Sequence, residues 1–228
     1  YSRGDHRSGH CLEIIFIIMK ENVSIVGAGL VGSLLASLLA KRGYNIQIFE
    51  KRGDCRVKNY VGGKSINLAV SHRGLRALNM IGSKDEVDKI AIPMYGRMIH
   101  DAQGGTTFQP YGAENEAIYS ISRGELNIMM IKHADKYPNV SFFFDHFCIE
   151  VNEPDLSMRF STPEGERFFS NNYSVIFGTD GAFSAVRYQM QHKARFNYSQ
   201  QFLEHGYLEL HIPPGKKGSD HYPRQRLG

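Results

Sequence analysis

One group of residues has types and spacing that could do chemistry. Gly27, Gly29 and Gly32 form a G-x-G-x-x-G spacing, with Ala28, Leu30 and Val31 in the variable places. Such a turn suits a pyrophosphate: the first glycine permits a tight bend, the second admits the ligand close to the backbone, and the third lets a following helix pack on the preceding strand. The helix N-terminus then holds the anion with unpaired N–H groups and its dipole. Glu50 follows 18 positions after Gly32, where an acid can bind the ribose hydroxyls of an adenosine. Its charge would repel a 2′-phosphate, so the adenosine expected here belongs to FAD or NAD rather than NADP. The competing reading is a glycine-rich turn of purely structural use.

The elements that must position these residues are legible on either side. Val23-Ser24-Ile25-Val26 is a β-branched run of the kind that forms a buried parallel strand. Leu34, Leu35, Leu38 and Leu39 recur at helical spacing until Lys41-Arg42-Gly43 closes the helix. Ile46 to Glu50 is a second strand, which completes a βαβ unit. Residues 65–70 read as an extended segment and 73–80 as a short helix. Residues 97–122 read as strands broken by Gly and Pro, an antiparallel layer inserted into the first domain. Ser122-Arg123-Gly124-Glu125 is an S-x-x-E capping box opening a helix to about Lys136. Residues 140–144 return to the main sheet, 148–161 with 167–170 form a meander, 175–181 is a strand ending in a turn, and 204–212 is a last strand.

Composition excludes other classes. Of 228 residues, 42% are hydrophobic and 22% charged, which is ordinary for a globular chain and rules out disorder or a fibrous repeat. The net +4 sits at the ends: residues 1–20 carry +1 and residues 213–228 carry +3, leaving the middle neutral. A nucleic-acid reader would gather that charge on its folded body, so no nucleic acid is expected. The three cysteines (Cys11, Cys55, Cys148) have no C-x-x-C spacing and the ten histidines no H-E-x-x-H spacing. Neither a disulfide framework nor a metal site is expected, and a reducing compartment is the simpler reading. The apolar run 12–19 is too short for a membrane helix and lacks the cleavage site of a signal peptide. Met19 is read as the natural start.

Several longer stretches carry a resemblance. They are Gly27 to Glu50 with Arg52; Lys64 to Gly74, containing S-I-N-L-A; Ile92-Pro93-Met94 leading to Arg97-Met98-Ile99-His100; Pro110-Tyr111-Gly112; Ser120 to Arg123; Lys136 to Val140; Gly178 to Ala182; and Phe196 to Gln201 with His205-Gly206-Tyr207. From about Met19 to about Gly215 the chain resembles the single-component flavin aromatic hydroxylases, and within them the members that act on L-kynurenine. The resemblance implies an α/β fold: a Rossmann-like FAD-binding domain of the aromatic-hydroxylase (GR2) type with an inserted antiparallel β substrate layer, ending short of the family's C-terminal part.

Residue roles follow from that resemblance. FAD adenosine would lie along Gly27, Gly29, Leu30, Val31 and Gly32 and against Glu50, with Arg52 nearby. Ala69 would line the flavin path, and Arg123 would donate hydrogen bonds to cofactor oxygens. Asp180 and Gly181 match the family's second nucleotide motif, tied to FAD and to NADPH use. Cys148 and Ala185 fall at further FAD contacts, where leucine and threonine are familiar, so their roles require backbone contacts. Arg97 and Tyr111 match the substrate residues: a bidentate arginine suits the amino acid's carboxylate, and a tyrosine hydroxyl can add a hydrogen bond. NADPH would reduce FAD, and the reduced flavin would activate O₂ to place an OH ortho to the substrate's amino group. No side chain is expected to act as a catalytic nucleophile, acid or base.

The expected organisation is an upstream, non-native extension (1–18), the FAD-binding βαβ part (19–96), substrate-layer strands (97–122), a return to the FAD-binding domain (123–195), the start of a substrate domain (196–212) and a disordered tail (213–228). The family's later Gly-Asp motif has no match after Gly181, so this chain is expected to bind FAD weakly or not at all and to hydroxylate nothing alone, although a longer parent would. A cytoplasmic site is expected; eukaryotic relatives reach the mitochondrial outer membrane through a C-terminal anchor that this chain does not show. The alternatives are another FAD- or NAD-dependent oxidoreductase and a non-catalytic dinucleotide-binding fragment.

Overall fold

In the computed structural model, which describes residues 21–57 and 67–206, β1 (Asn22–Val26) leads through the glycine turn into α1 (Leu30–Ala40) and back to β2 (Asn45–Phe49). β1 and β2 are parallel, in register from Asn22↔Asn45 to Val26↔Phe49. The βαβ unit read from the sequence is present. Its helix, however, does not turn the leucines furthest inward: the buried face is Gly32, Ser33, Ala36, Ser37 and Ala40. Small residues let a helix approach a sheet closely, while Leu35 and Leu39 pack around the rim of the core formed by Val23, Ile25, Ile46 and Ile48.

The next elements are β3 (Asn67–Val70), α2 (His72–Ile81), a short α3 (Lys84–Asp88), β4 (Ile92–Met94), β5 (Gly96–His100), β6 (Thr106–Pro110) and β7 (Ile118–Ser122). The antiparallel layer is two sheets. β5 and β6 form a separate ribbon, whereas β7 pairs with β3 on one side and β4 on the other. Burial explains the split: Ile121 of β7 joins Val70, Leu78, Val87, Leu126 and Met130 in one apolar cluster, while the ribbon is exposed along almost its whole length. Pro93 sits on β4 at the edge of its sheet, where its missing N–H is tolerated.

α4 (Arg123–Ala134) opens as the capping pattern predicts, with the Ser122 hydroxyl oxygen accepting from the Glu125 N–H at 3.4 Å. β8 (Val140–Phe143) then adds to the main sheet parallel to β2. β9 (Phe147–Asn152), β10 (Ser157–Thr162) and β11 (Gly165–Phe169) make the antiparallel meander, β12 (Tyr173–Gly178) runs parallel to β1, and α5 (Ala185–Gln191) follows. The main sheet is therefore ordered β12-β1-β2-β8. Since β1 is flanked by strands that arrive by crossovers in opposite directions, its C-terminal end is the switch point at which open α/β sheets bind ligands.

The start at Met19, the 1–18 extension, residues 64–66 and the 213–228 tail lie outside the described residues. So does most of the strand read over 204–212, whose described part is not in a strand. Among the described residues, no helix is long and apolar enough to cross a membrane, and no group of three or more His, Cys, Asp or Glu could hold a metal ion.

Candidate functional site

The three motif glycines meet three different surroundings. Gly27 has φ +105°, and a Cβ there would lie 2.6 Å from the Thr179 carbonyl oxygen and 2.7 Å from Asp180 Cα. The turn leaving β1 is thus pressed onto the loop leaving β12. Thr179 fastens the two: its N–H donates to the Val26 carbonyl at 2.8 Å, and its hydroxyl lies 3.0 and 2.8 Å from the Val26 and Gly27 carbonyl oxygens. A Cβ on Gly32 would fall 2.0 Å from the Gly27 carbonyl oxygen and 2.7 Å from Thr179 Oγ1, whereas one on Gly29 meets nothing within 4 Å. Two glycines are therefore required by packing, and the third faces open space. Gly29 caps α1 with no side-chain hydrogen bond, so the first-turn N–H groups at Leu30 and Val31 have no intrahelical acceptor.

Glu50, only 7% exposed, closes the turn from the β2 side. Its Oε2 accepts from the Ala28 N–H at 2.9 Å, and its Oε1 accepts from the Arg52 backbone N–H at 3.1 Å and from Arg52 Nε at 2.9 Å. Oε1 already accepts two bonds, while Oε2 keeps lone-pair capacity for a further donor such as a ribose hydroxyl. The carboxylate thus ties the glycine turn to β2.

Asp180 works on the opposite wall. Its Oδ1 accepts from the Ser184 hydroxyl at 2.5 Å and its Oδ2 from the Ala185 N–H at 2.6 Å, so it caps the first turn of α5. The Arg187 guanidinium donates to the Gly181 and Ala182 carbonyls, bracing a loop in which Gly181 has φ +88°. Cys148 of β9 lies below this loop. Burial, helped by the Asp180 charge, pushes its thiol up to about 12, so its sulfur is a neutral, apolar part of the wall.

These pieces surround a cavity of about 410 Å³. Gly27 and Gly29 line it from the turn, Leu30 and Val31 from the start of α1, Glu50 and Arg52 from the segment after β2, Arg123 from α4, Cys148 from β9, Asp180 and Gly181 from the loop after β12, and Ala185 from the start of α5. Eleven of the thirteen residues read as cofactor contacts therefore share one cavity. Gly32 is a packing residue beneath the turn. Ala69, exposed and opposite Ser120 on β3, is not in the cavity wall.

Arg97 and Tyr111 are also outside that wall, at the ribbon of β5 and β6. Arg97 pairs with Gln109 across the ribbon, and its Nε donates to Gln109 Oε1 at 2.7 Å. Tyr111 follows the end of β6, with its N–H donating to the Tyr95 carbonyl at 2.9 Å and its side chain exposed.

Local spacing assigned no role to eight wall residues: Val26, Phe49, Lys51, His146, Phe147, Thr179, Ala182 and Phe183. His146 and Phe147 reach the cavity because β8 and β9 converge on it, and Thr179 and Phe183 because β12 ends there. Thr179 and Ala182 had a signal, their places on either side of Asp180-Gly181. Donors at a helix N-terminus, the cations Arg52 and Arg123, and a buried acid beside a glycine that a ligand can approach all fit an adenosine diphosphate moiety.

Comparison with known proteins points the same way. A family profile described as "FAD binding domain" matches residues 20–214. Kynurenine 3-monooxygenase of Anopheles gambiae is 42% identical over 207 residues, which is 90% of this chain and 43% of that protein. The enzyme of the same name from Flavobacterium psychrophilum is 44% identical over 200 residues (88% and 44%), and that of Sus scrofa 40% over 197 (86% and 42%). The chain thus spans somewhat under half the length of the curated relatives it matches. Among solved structures, p-nitrophenol 4-monooxygenase PnpA from Pseudomonas putida DLL-E4 aligns with TM-score 0.63 and 23% identity, over 75% of this chain and 43% of that one. The flavin-dependent monooxygenase PieE, in complex with FAD and substrate, aligns with TM-score 0.63 and 17% identity, over 76% and 32%. At these identities the two share the fold.

Proposed function

The chain belongs to the FAD-binding-domain family, and from that premise we propose that it forms the cofactor-binding share of a flavoprotein monooxygenase that consumes NADPH and O₂ and converts L-kynurenine to 3-hydroxykynurenine. The observation that carries the proposal is the convergence on one cavity of Gly29, the N-terminus of α1, Glu50, Arg123 and the Asp180–Gly181 loop. The relatives that cover most of this chain bear the name of that reaction.

Bound FAD would supply the redox chemistry, taking two electrons from NADPH and activating O₂ for insertion into an aromatic C–H bond. The chain's residues bind and orient. The N–H groups of the first turn of α1 and the Arg123 guanidinium would hold the diphosphate, and Glu50, which holds the turn through Ala28, would accept from the ribose. Asp180 fixes the loop over the cavity by capping α5. The ribbon offers Arg97 as a bidentate partner for the amino-acid carboxylate and Tyr111 as a neighbouring donor, so that the substrate's aniline ring is held by its far end. Aniline nitrogen activates the ortho carbon toward an electrophilic oxygen without help from a side chain. A cytoplasmic site, where NADPH is supplied, fits this reading.

The test is spectroscopic and uses the full-length protein. Kynurenine added to the FAD-loaded protein is expected to perturb the flavin absorbance bands saturably, and Arg97→Ala to weaken that response by at least tenfold (about 1.4 kcal/mol) with FAD affinity unchanged. A flavin spectrum indifferent to kynurenine would remove the substrate assignment.

A further inference from the structure

Resting on the reading of Glu50 and Arg52 as adenosine-side residues, we infer that Arg56 is a positioning residue for the cofactor, pinning the segment after β2 to the body of the domain without reaching the cavity. The observation is a clasp with three kinds of contact. Arg56 Nε lies 2.8 and 3.0 Å from the two Asp54 oxygens and Nη2 2.7 Å from Oδ2. The Arg56 N–H also donates to Asp54 Oδ1 at 2.9 Å. Asp54 and Arg56 alone would make a rigid but detached turn.

What attaches that turn lies on other elements. Nη1 donates to Asp135 Oδ2 at 2.7 Å, at the C-cap of α4. The guanidinium carbon sits 5.6 and 5.3 Å from the ring centroids of Phe142 and Phe144, which are themselves parallel to within 5°. Four-fifths of the Arg56 side chain is out of solvent, so its ion pairs are better shielded than those of an ordinary surface arginine. Between clasp and cavity the segment is zipped to the run after β8: the Glu50 carbonyl accepts from the His146 N–H at 2.9 Å and the Arg52 carbonyl from the Asp145 N–H at 3.1 Å. Residues 53–56 are absent from the cavity wall, while Glu50 and Arg52 at the start of the segment form part of it.

The coupling route is therefore explicit. Asp135, Phe142 and Phe144 hold Arg56; Arg56 holds the far end of the segment; the segment sets Arg52 against Glu50; and Glu50 holds Ala28 in the glycine turn. Only a planar, five-donor fork can satisfy two carboxylates in its plane while stacking its face on phenyl rings, so lysine is not a conservative replacement.

The experiment measures FAD dissociation constants by flavin fluorescence for the full-length parent, Arg56→Lys, Glu50→Gln and the double variant. Arg56→Lys is expected to weaken FAD about three- to tenfold in the parent and less than about twofold in the Glu50→Gln background, because the route through Glu50 is then already cut. A merely structural role would give equal losses in both backgrounds, and that result, or an unchanged affinity in Arg56→Lys, overturns the inference. Should Arg56→Lys fail to fold by circular dichroism, Asp135→Asn, which leaves the Asp54 fork in place, is put through the same cycle: a smaller loss with the same non-additivity supports the inference, and no loss or an additive one overturns it. A parent that binds no FAD removes the reading of the site itself, and this inference with it.

Discussion

Substituting alanine at two glycines of one motif separates cofactor binding from folding. At Gly29 the backbone has φ −74° and ψ −172°, open to any L-residue, and a Cβ meets nothing within 4 Å. Gly29→Ala is therefore expected to leave thermal stability within about 0.5 kcal/mol of the parent, since reduced freedom of the unfolded chain offsets a poorer N-cap. The new methyl would stand where a diphosphate must approach the first turn of α1. FAD affinity is expected to fall at least tenfold, about 1.4 kcal/mol. At Gly32 a Cβ would lie 2.0 Å from the Gly27 carbonyl oxygen, and neither backbone can yield without moving β1 or the β12 loop. Overpacking of this kind costs about 2–3 kcal/mol, or about 4–12 °C in Tm for a chain of this size. Melts followed by circular dichroism and fluorescence titration with FAD read both effects. The reasoning fails if Gly29→Ala binds FAD as the parent does, or if Gly32→Ala melts at the parent's temperature.

Two further outcomes concern Cys148 and Asp180. The Cys148 thiol is raised from 9.0 to about 12 by burial and the Asp180 charge, and the Tyr173 hydroxyl from 10.0 to about 12 by burial. The unfolded chain releases these protons first, so their stabilising contribution is complete below pH 9 and is lost as pH rises toward 12. Urea midpoints between about pH 8 and 11 should fall more steeply in the parent than in Cys148→Ala, and parallel slopes would contradict this. Asp180→Ala removes the acceptor for the Ser184 hydroxyl and the Ala185 N–H; it should cost about 1 kcal/mol and speed amide exchange at Ala185 and Val186, and unchanged exchange would show that the cap is idle.

The parts of this fold that sequence alone reveals are those whose signal is local. The β-branched, largely apolar stretches of β1, β2 and β12 and the capping box at Ser122 each carry their reason within a few residues. What stays hidden depends on partners far along the chain. Leucines in α1 carry the helical periodicity, yet Ser33, Ala36 and Ser37 face inward because the helix must fit closely between the sheet and α4, a constraint no window of sequence contains. The ribbon β5–β6 and strand β7 read as one layer; which sheet claims β7 depends on β3, some 50 residues earlier. In the site, Gly27 is legible as a tight turn, but that Thr179 and Asp180 press against it follows only from the parallel pairing of β1 with β12. His146 and Phe147 enter the wall through the same kind of long-range convergence.

The central claim, that this cavity holds the flavin of a kynurenine hydroxylase, is tested most directly by oxygen and NADPH consumption in the full-length, FAD-loaded protein. NADPH oxidation should accelerate on adding L-kynurenine, with one 3-hydroxykynurenine formed per NADPH consumed. Oxidation that ignores kynurenine, or that proceeds without any hydroxylated product, would contradict the account.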